Sequence, residues 1–245
     1  MTTKNKLIVA LDVKTVDEAQ RLVDMLRGIA GMFKIGSQLF TATGPKFVRE
    51  LVNSGERVFL DLKFHDIPNT VAAAGVEATR LGVSIFNVHA GGGSEMMRRT
   101  VAAVAQSAEA EALTRPTIIA VTVLTSADST ILAEVGWSST PEKLVERLAL
   151  LAEAAGMDGV VASPREVSIV RSVVRSPGFV VVTPGVRPEG VALGDQSRVT
   201  TPREAIAAGA DYLVMGRPII EAPDPARAAL QIIDEMETGS TNSIG

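Results

Sequence analysis

The stretch that decides the fold is VFLDLKFHDIPNT, residues 58–70, in which an apolar strand ends in charged side chains and leads into a helix. Side chains alternate along a strand, so Asp61 and Lys63 lie on one face while Leu60 and Leu62 lie on the other. Strands bury charged side chains only when the charges are paired or used in chemistry. The stretch therefore predicts a β-to-α junction whose strand end carries a function.

The same alternation of a β-rich run and a longer helical pattern recurs along the whole chain. Amphipathic spacing predicts helices at Val16–Leu26, Pro141–Ala155, Pro164–Val174 and Ala226–Met236. The predicted strands are Leu7–Val13, Met32–Gly36, Val58–Lys63, Ser84–Ala90, Thr117–Leu124, Gly159–Ala162, Phe179–Thr183 and Tyr212–Met215. Eight β/α alternations without a long linker predict the α/β class and a (β/α)₈ barrel.

The alternative fold is an open, doubly wound sheet, which usually carries a glycine-rich fingerprint after its first strand. The first predicted strand here ends in Leu11-Asp12-Val13-Lys14, which contains no glycine. The barrel is therefore favoured over the open sheet.

Length and composition restrict the class of protein. The chain has 245 residues, 46% of them hydrophobic, which predicts a single barrel domain over 1–245, with a core at about 6–236 and a polar tail at 237–245. A net charge of −4 argues against a nucleic-acid partner. No apolar run reaches the roughly 18 residues of a membrane span, and the first residues lack the apolar region of a signal peptide. We therefore expect a cytoplasmic protein.

Cysteine and histidine counts exclude several kinds of site. The chain has no cysteine and two histidines, His65 and His89. Disulfides, a thiol nucleophile and a three-histidine zinc site within one chain are thereby excluded.

Polar side chains follow nearly every predicted strand. Barrel enzymes place their chemistry at these carboxyl ends. Strand ends also meet solvent, which explains a polar residue there without any function. That explanation does not easily cover Lys34, which stands between Met32-Phe33 and Ile35, nor the pair of Asp61 and Lys63. The strand-end residues are Asp12, Lys34, Asp61, Lys63, His89, Thr125, Arg187 and Arg217.

The end of the last strand suggests a phosphate site. Gly216-Arg217 follows the eighth predicted strand, where a glycine lets backbone N–H groups approach a phosphate and an arginine binds it in bidentate fashion. The loops after strands seven and eight are the usual phosphate site of such barrels. The polar stretch 189–200 is long enough to be a binding loop or a lid.

The decad at 61–70 resembles the signature of the orotidine 5′-monophosphate decarboxylase family in its short bacterial form, within the ribulose-phosphate-binding barrel superfamily. The resemblance covers essentially the whole chain. It includes Ala10-Leu11-Asp12, Phe33-Lys34-Ile35-Gly36, residues 121–126, residues 183–187, Asp195-Gln196 and Gly216-Arg217. It implies an enzyme that converts orotidine 5′-monophosphate to uridine 5′-monophosphate in pyrimidine synthesis, without a metal or a cofactor.

The resemblance also implies catalytic roles. Lys34, Asp61, Lys63 and Asp66 would form an alternating array of charges around the reacting carbon. Lys63 would be the proton donor, and Asp61 would face the carboxylate that leaves. Asp66, with Thr70 close by, would enter the site of the neighbouring subunit, which implies a homodimer.

The remaining implied roles are contacts to the ribose, the pyrimidine and the phosphate of the substrate. Asp12 and Lys34 would contact the ribose hydroxyls, Thr125 and Ser126 the pyrimidine region, and Gln196, Gly216 and Arg217 the phosphate, with Arg187 nearby. His65 and Asn69 lie inside the decad, but we assign neither of them a catalytic role.

Two other functions compete with this one. Magnesium-dependent barrels that resemble 3-keto-L-gulonate 6-phosphate decarboxylase or hexulose phosphate synthase share an Asp-x-Lys-x-x-Asp core, but they have a glutamate where this chain has Lys34. An ammonium group there would repel a divalent cation. A non-catalytic phosphate-binding barrel would be expected to have lost some of the four charges, and this chain keeps all four.

Overall fold

Eight parallel strands form a closed barrel in which each strand pairs with the next along the chain and the eighth pairs with the first. The structure is a computed structural model, and it describes residues 2–188 and 200–240. The strands are β1 Leu7–Ala10, β2 Met32–Gly36, β3 Val58–Phe64, β4 Ile85–His89, β5 Thr117–Val121, β6 Gly159–Val161, β7 Val180–Pro184 and β8 Tyr212–Met215. The predicted (β/α)₈ barrel is confirmed. The prediction of a single domain over 1–245 stays a prediction.

Helices follow the strands around the outside of the barrel. Single turns of 3₁₀ helix lie at Thr3–Lys6, Ala90–Gly92 and Pro164–Glu166. The α-helices are α1 Val16–Leu26, α2 Ser37–Thr43, α3 Pro45–Asn53, α4 Pro68–Arg80, α5 Gly93–Ala110, α6 Ser129–Glu134, α7 Pro141–Ala154, α8 Val167–Val173, α9 Pro202–Ala207, α10 Arg217–Ile220 and α11 Pro225–Ser240. Within the described ranges, none of these helices is both long and apolar enough to cross a membrane.

Several predicted boundaries are wrong by a few residues. The β1 and β5 strands end at Ala10 and Val121, three residues before the predicted ends, because the chain turns there into the loops around the barrel mouth. The segment predicted as one helix from Pro164 opens with a 3₁₀ turn, which a capping box between Ser163 and Glu166 stabilises. The last helix continues to Ser240, four residues beyond the predicted end.

Two apolar layers hold the barrel together. An outer layer of buried side chains fills the space between strands and helices, and it accounts for the nearly continuous apolar runs of the strands. A smaller layer fills the barrel interior, from Ile8, Ala10, Met32, Phe59, Ile85, Ile119, Val182 and Val214. The interior layer lies below the carboxyl ends of the strands, so the next inward-facing residues stand at the barrel mouth.

Candidate active site

A cavity of about 320 Å³ opens at the carboxyl end of the barrel. Part of its wall is apolar, because Ala10, Phe59, Val182 and Val214 of the interior layer line it. The rest is polar, and eight of the twelve predicted site residues line it, namely Asp12, Lys34, Asp61, Lys63, Thr125, Arg187, Gly216 and Arg217. A concave site with apolar walls and a few converging charges is typical of small-molecule binding.

Lys34 is a buried cation held between two carboxylates. It stands on β2 and is 7% exposed. Its Nζ lies 3.0 Å from Asp12 Oδ1 and 3.3 Å from Asp61 Oδ2. A Cβ atom at Gly36 would lie 3.0 Å from the same Nζ, so glycine at that position leaves room for the ammonium group. The two carboxylates offset the cost of burying this charge.

Asp61 joins the two lysines. Its Oδ2 faces Lys34, and its Oδ1 lies 2.7 Å from Lys63 Nζ. The Asp61 side chain is 13% exposed, whereas that of Lys63 is 39% exposed. The charges therefore alternate along Lys34, Asp61 and Lys63, and the ammonium group at the end of the row is open to the cavity.

The environment of Asp61 keeps it ionised. Burial alone would raise the pKa of its carboxyl group, but the charges of Lys34 and Lys63 and the hydrogen bonds from Lys63 and Asn87 more than offset that effect. The pKa of Asp61 is therefore below its usual value. A permanent negative charge thus lies between two cations at the barrel mouth.

The part of the cavity wall that follows β7 and β8 is suited to an anion. Gly216 and Arg217 follow β8, and Arg187 follows β7. A Cβ atom on Gly216 would make ordinary van der Waals contacts, at 3.5 Å, with Ala10 Cβ and Asp12 Oδ2. Within the described part of the chain, no carboxylate pairs with Arg217, which leaves its guanidinium group available for an anionic ligand.

Comparisons with known proteins agree with this geometry. The model of the family described as "Orotidine 5'-phosphate decarboxylase / HUMPS family" matches residues 5–232. A protein of Geobacter sulfurreducens named orotidine 5'-phosphate decarboxylase is 54% identical over 236 residues, which are 96% of this chain and 98% of the relative. A protein of Moorella thermoacetica with the same name is 55% identical over 97% of this chain and 94% of its own length.

The chain belongs to the orotidine 5'-phosphate decarboxylase / HUMPS family. A solved structure of orotidine 5'-phosphate decarboxylase from Lactobacillus acidophilus superimposes with a TM-score of 0.82 at 33% identity, over 94% of this chain and 98% of the other. The predicted family is confirmed.

Three of the predicted site residues that the structure describes do not line the cavity. Asp66 and Thr70 are exposed, at the end of the β3 junction and in the first turn of α4. The Asp66 Oδ1 atom accepts a hydrogen bond of 2.6 Å from the N–H of Ile67, and within the described residues no cation pairs with it. Ser126 is exposed and does not line the cavity. Gln196 and the loop predicted at 189–200 lie, except for residue 200, outside the described residues.

Asn87 is a residue of the site that sequence reasoning missed. It is fully buried on β4, and its Nδ2 donates a 2.7 Å hydrogen bond to Asp61 Oδ1. Its Oδ1 accepts a 2.8 Å hydrogen bond from the backbone N–H of Lys63. The available signal was an amide in an otherwise apolar strand, two residues from Ile85 and therefore on the face that points into the barrel.

The two histidines form a stacked pair beside the charge row. The ring centroids of His65 and His89 are 5.2 Å apart, with 15° between the ring planes. The His89 Nδ1 atom accepts a hydrogen bond from the N–H of Gly91. Burial, followed by the nearby charges of His65 and Lys63, lowers the pKa of His89. His89 is thus held in its neutral form.

Proposed function

We infer that this chain decarboxylates orotidine 5′-monophosphate to uridine 5′-monophosphate, with Lys63 as the proton donor at C6. The observation that carries the inference is the row of Lys34, Asp61 and Lys63, with Nζ-to-oxygen distances of 3.3 and 2.7 Å on the wall of the cavity. Family membership supplies the reaction class, and this row supplies the chemistry that the reaction requires.

The reaction needs a cation at the reacting carbon. The C6–carboxylate bond breaks, carbon dioxide leaves, and the electron pair stays on C6 without a carbonyl group in conjugation to accept it. A positioned ammonium group stabilises that charge electrostatically. Lys63 then transfers its proton to C6, and the lysine is left neutral. The 39% exposure of the Lys63 side chain is consistent with an approach to a ligand in the cavity.

Asp61 would destabilise the bound substrate relative to the transition state. Two like charges about 4 Å apart repel by about 4 kcal/mol at an effective dielectric near 20. Relief of that repulsion supplies at most roughly three powers of ten in rate. It contributes only if binding of a remote group offsets the repulsion in the ground state.

We propose that the substrate phosphate is that remote group. Arg217 and Gly216 would hold it, with Arg187 and Gln196 nearby. Asp12 would contact the ribose together with Lys34, and Thr125 and Ser126 the pyrimidine region. The phosphate assignment is supported by the Arg217 guanidinium group, which pairs with no carboxylate among the described residues.

We also propose that the working form is a homodimer in which Asp66 and Thr70 complete the site of the other subunit. Support comes from the exposure of Asp66 at the edge of the motif and from Ile67, which is 66% exposed beside it. A large apolar side chain at that position would be covered by a second copy of the chain. The cytoplasmic location stays a prediction.

The magnesium-dependent alternative fits the residues less well. The Lys34 ammonium group lies 3.0 Å from Asp12 and 3.3 Å from Asp61, between the carboxylates that would otherwise bind a cation. No group of three or more acidic or histidine side chains suited to a metal ion occurs in the described ranges. The carboxylate geometry therefore favours the metal-independent reaction.

A spectrophotometric assay tests the proposal. Purified chain in excess chelator should consume the absorbance of orotidine 5′-monophosphate and yield uridine 5′-monophosphate and carbon dioxide. The Lys63→Ala variant, prepared in the same way, controls for a contaminating host enzyme. Activity on a sugar phosphate only when Mg²⁺ is added would favour the magnesium-dependent alternative, and no activity on either substrate would favour a non-catalytic barrel.

A further inference from the structure

We propose that Asn87 is a positioning residue, whose amide sets both the carboxylate of Asp61 and the backbone of Lys63 in the geometry that decarboxylation requires. The proposal rests on the proposed function above and adds to it a residue outside the motif. It starts from an irregularity in the pairing of β3 with β4.

The pairing of β3 and β4 shifts at the charged residues. Leu60 is paired with Phe86, and Phe64 is paired with Val88. Three residues of β3, from Asp61 to Lys63, therefore stand opposite the single residue Asn87 of β4. A bulge of this kind removes regular ladder hydrogen bonds and turns side chains in new directions, and bulges are frequent next to active sites.

Lys63 has an unusual backbone within this bulge. Its φ angle is 52°, in the left-handed region that residues other than glycine rarely adopt. Such a conformation persists only when contacts with the surrounding structure hold it in place. The contact that does so is the 2.8 Å hydrogen bond from the Lys63 N–H to Asn87 Oδ1, which replaces a ladder bond lost at the bulge.

The other end of the same amide holds the carboxylate. Asn87 Nδ2 lies 2.7 Å from Asp61 Oδ1, the oxygen that also contacts Lys63 Nζ at 2.7 Å. The oxygen of one buried amide thus holds the backbone of Lys63, and its nitrogen holds the carboxylate of Asp61. Because Asn87 is 0% exposed, no water can readily replace either hydrogen bond.

Two variants separate the two ends of the amide. Asn87→Leu is similar in size and removes both hydrogen bonds. Asn87→Asp keeps an oxygen for the Lys63 N–H, but it donates to Asp61 only while it is protonated. Two carboxyl groups this close share a proton, and one of their pKa values is strongly raised. The Asn87→Asp variant should therefore lose activity as rising pH removes that proton.

The expected results differ from those of a purely structural residue. In Asn87→Leu, kcat should fall by about 100-fold, the scale of a catalytic group displaced by about 1 Å, while the KM and the affinity for uridine 5′-monophosphate change little. In Asn87→Asp, the ratio of wild-type kcat to variant kcat should increase with pH between 5.5 and 9. The falls in kcat of Lys63→Ala and Asp61→Ala serve as references for the size of the effect.

Thr183→Val is the matched control. Thr183 is also fully buried on a barrel strand, its Oγ1 has no hydrogen-bond partner among the described residues, and it does not line the cavity. Removal of that hydroxyl group should leave kcat unchanged. Thermal unfolding shows whether each variant folds. If Asn87→Leu does not fold, the pH dependence of Asn87→Asp alone tests the proposal.

The inference is overturned if Asn87→Leu folds and keeps a kcat within twofold of wild type, or if the kcat ratio of Asn87→Asp does not depend on pH. The proposed function fails in a different way, because the wild-type chain itself would then be inactive on orotidine 5′-monophosphate. The two failures are therefore distinguishable.

Discussion

Lys63 combines a left-handed backbone with an ammonium group 2.7 Å from the carboxylate of Asp61, whose side chain is 13% exposed. The left-handed backbone is strained, whereas the ion pair with Asp61 is favourable. Local strain of this kind, of order 1–3 kcal/mol, collects at functional sites and is compensated elsewhere in the fold. At the scale of single residues, the fold therefore keeps a strained backbone conformation at the candidate active site.

Replacement of Lys63 tests its role directly. Lys63→Ala removes the group that we propose as both the stabilising cation and the proton donor, so turnover should fall to nearly zero while uridine 5′-monophosphate still binds. Single-turnover assays and calorimetric titration measure the two quantities. Lys46→Ala is a suitable control, because Lys46 is exposed on α3 and pairs only with Glu50, at 3.7 Å, among the described residues. Near-normal turnover in Lys63→Ala would remove Lys63 from the mechanism.

His89 predicts a pH dependence of stability. Burial first, and then the charges of His65 and Lys63, lower the pKa of His89 in the folded chain. The unfolded chain therefore takes up this proton first, near its ordinary pKa of about 6.5, and the contribution of His89 to stability declines as the pH falls below that value.

Urea unfolding at pH 5.5 and 7.5 measures this decline. The wild-type chain should lose more stability between the two pH values than His89→Gln, in which the group is absent. His65→Gln should give an intermediate loss, because it removes one of the neighbouring charges. Equal losses in all three chains would contradict the assignment.

At the scale of elements, two aspartates at the amino end of the barrel repeat one arrangement. Asp158 precedes β6 and Asp211 precedes β8, and each accepts a 2.7 Å hydrogen bond from a backbone N–H of the preceding strand, at Ile118 and Val181. Each carboxylate is also paired with an arginine, Arg115 or Arg171. These contacts join neighbouring strands at the end of the barrel opposite the cavity.

The aspartate before β8 should therefore affect stability without affecting catalysis. Asp211→Ala leaves the buried N–H of Val181 without its acceptor and should lower the free energy of unfolding by about 1–3 kcal/mol. The kcat should not change, because barrel enzymes separate the two ends in this way. Urea unfolding at a fixed chain concentration measures the effect. Asp234→Ala, at an exposed position on α11, is the control, and an equal effect of both changes would contradict the prediction.

At the scale of the whole molecule, closure of the barrel brings residues from seven of the eight strands and their loops around one cavity. Asp12, Lys34, Asp61 and Arg217 come from four different β/α units, and all line it. Asp66 is the exception, since it is exposed at the surface and does not reach the charge row of its own chain.

Mixing two inactive variants tests whether the site is shared between subunits. In a heterodimer of Asp66→Asn and Lys63→Ala chains, one of the two sites would have every wild-type group. If half of the dimers are mixed, about one quarter of wild-type activity should return. Lys63→Ala mixed with Lys34→Ala is the control: in the proposed dimer both residues serve their own subunit, so no activity should return. Absence of recovery in a sample with proven heterodimers would argue against a shared site.

The sequence by itself determined the fold class, the family and most of the charge row. The alternation of strands and helices predicts the barrel, because strands covered on both faces and amphipathic helices have different apolar periods. Asp61 and Lys63 could be placed on one face because side chains alternate along a strand. Lys34 stood out because a charge within an apolar strand needs a partner.

Only the tertiary structure decided which groups meet. The register shift between β3 and β4, the left-handed φ angle of Lys63 and the two hydrogen bonds of Asn87 depend on pairing between residues more than twenty positions apart. Local periodicity carries no information about such pairing, because hydrogen bonds across strands follow from how the barrel closes. The sequence alone therefore identifies the charged residues, and the closed barrel sets the distances between them.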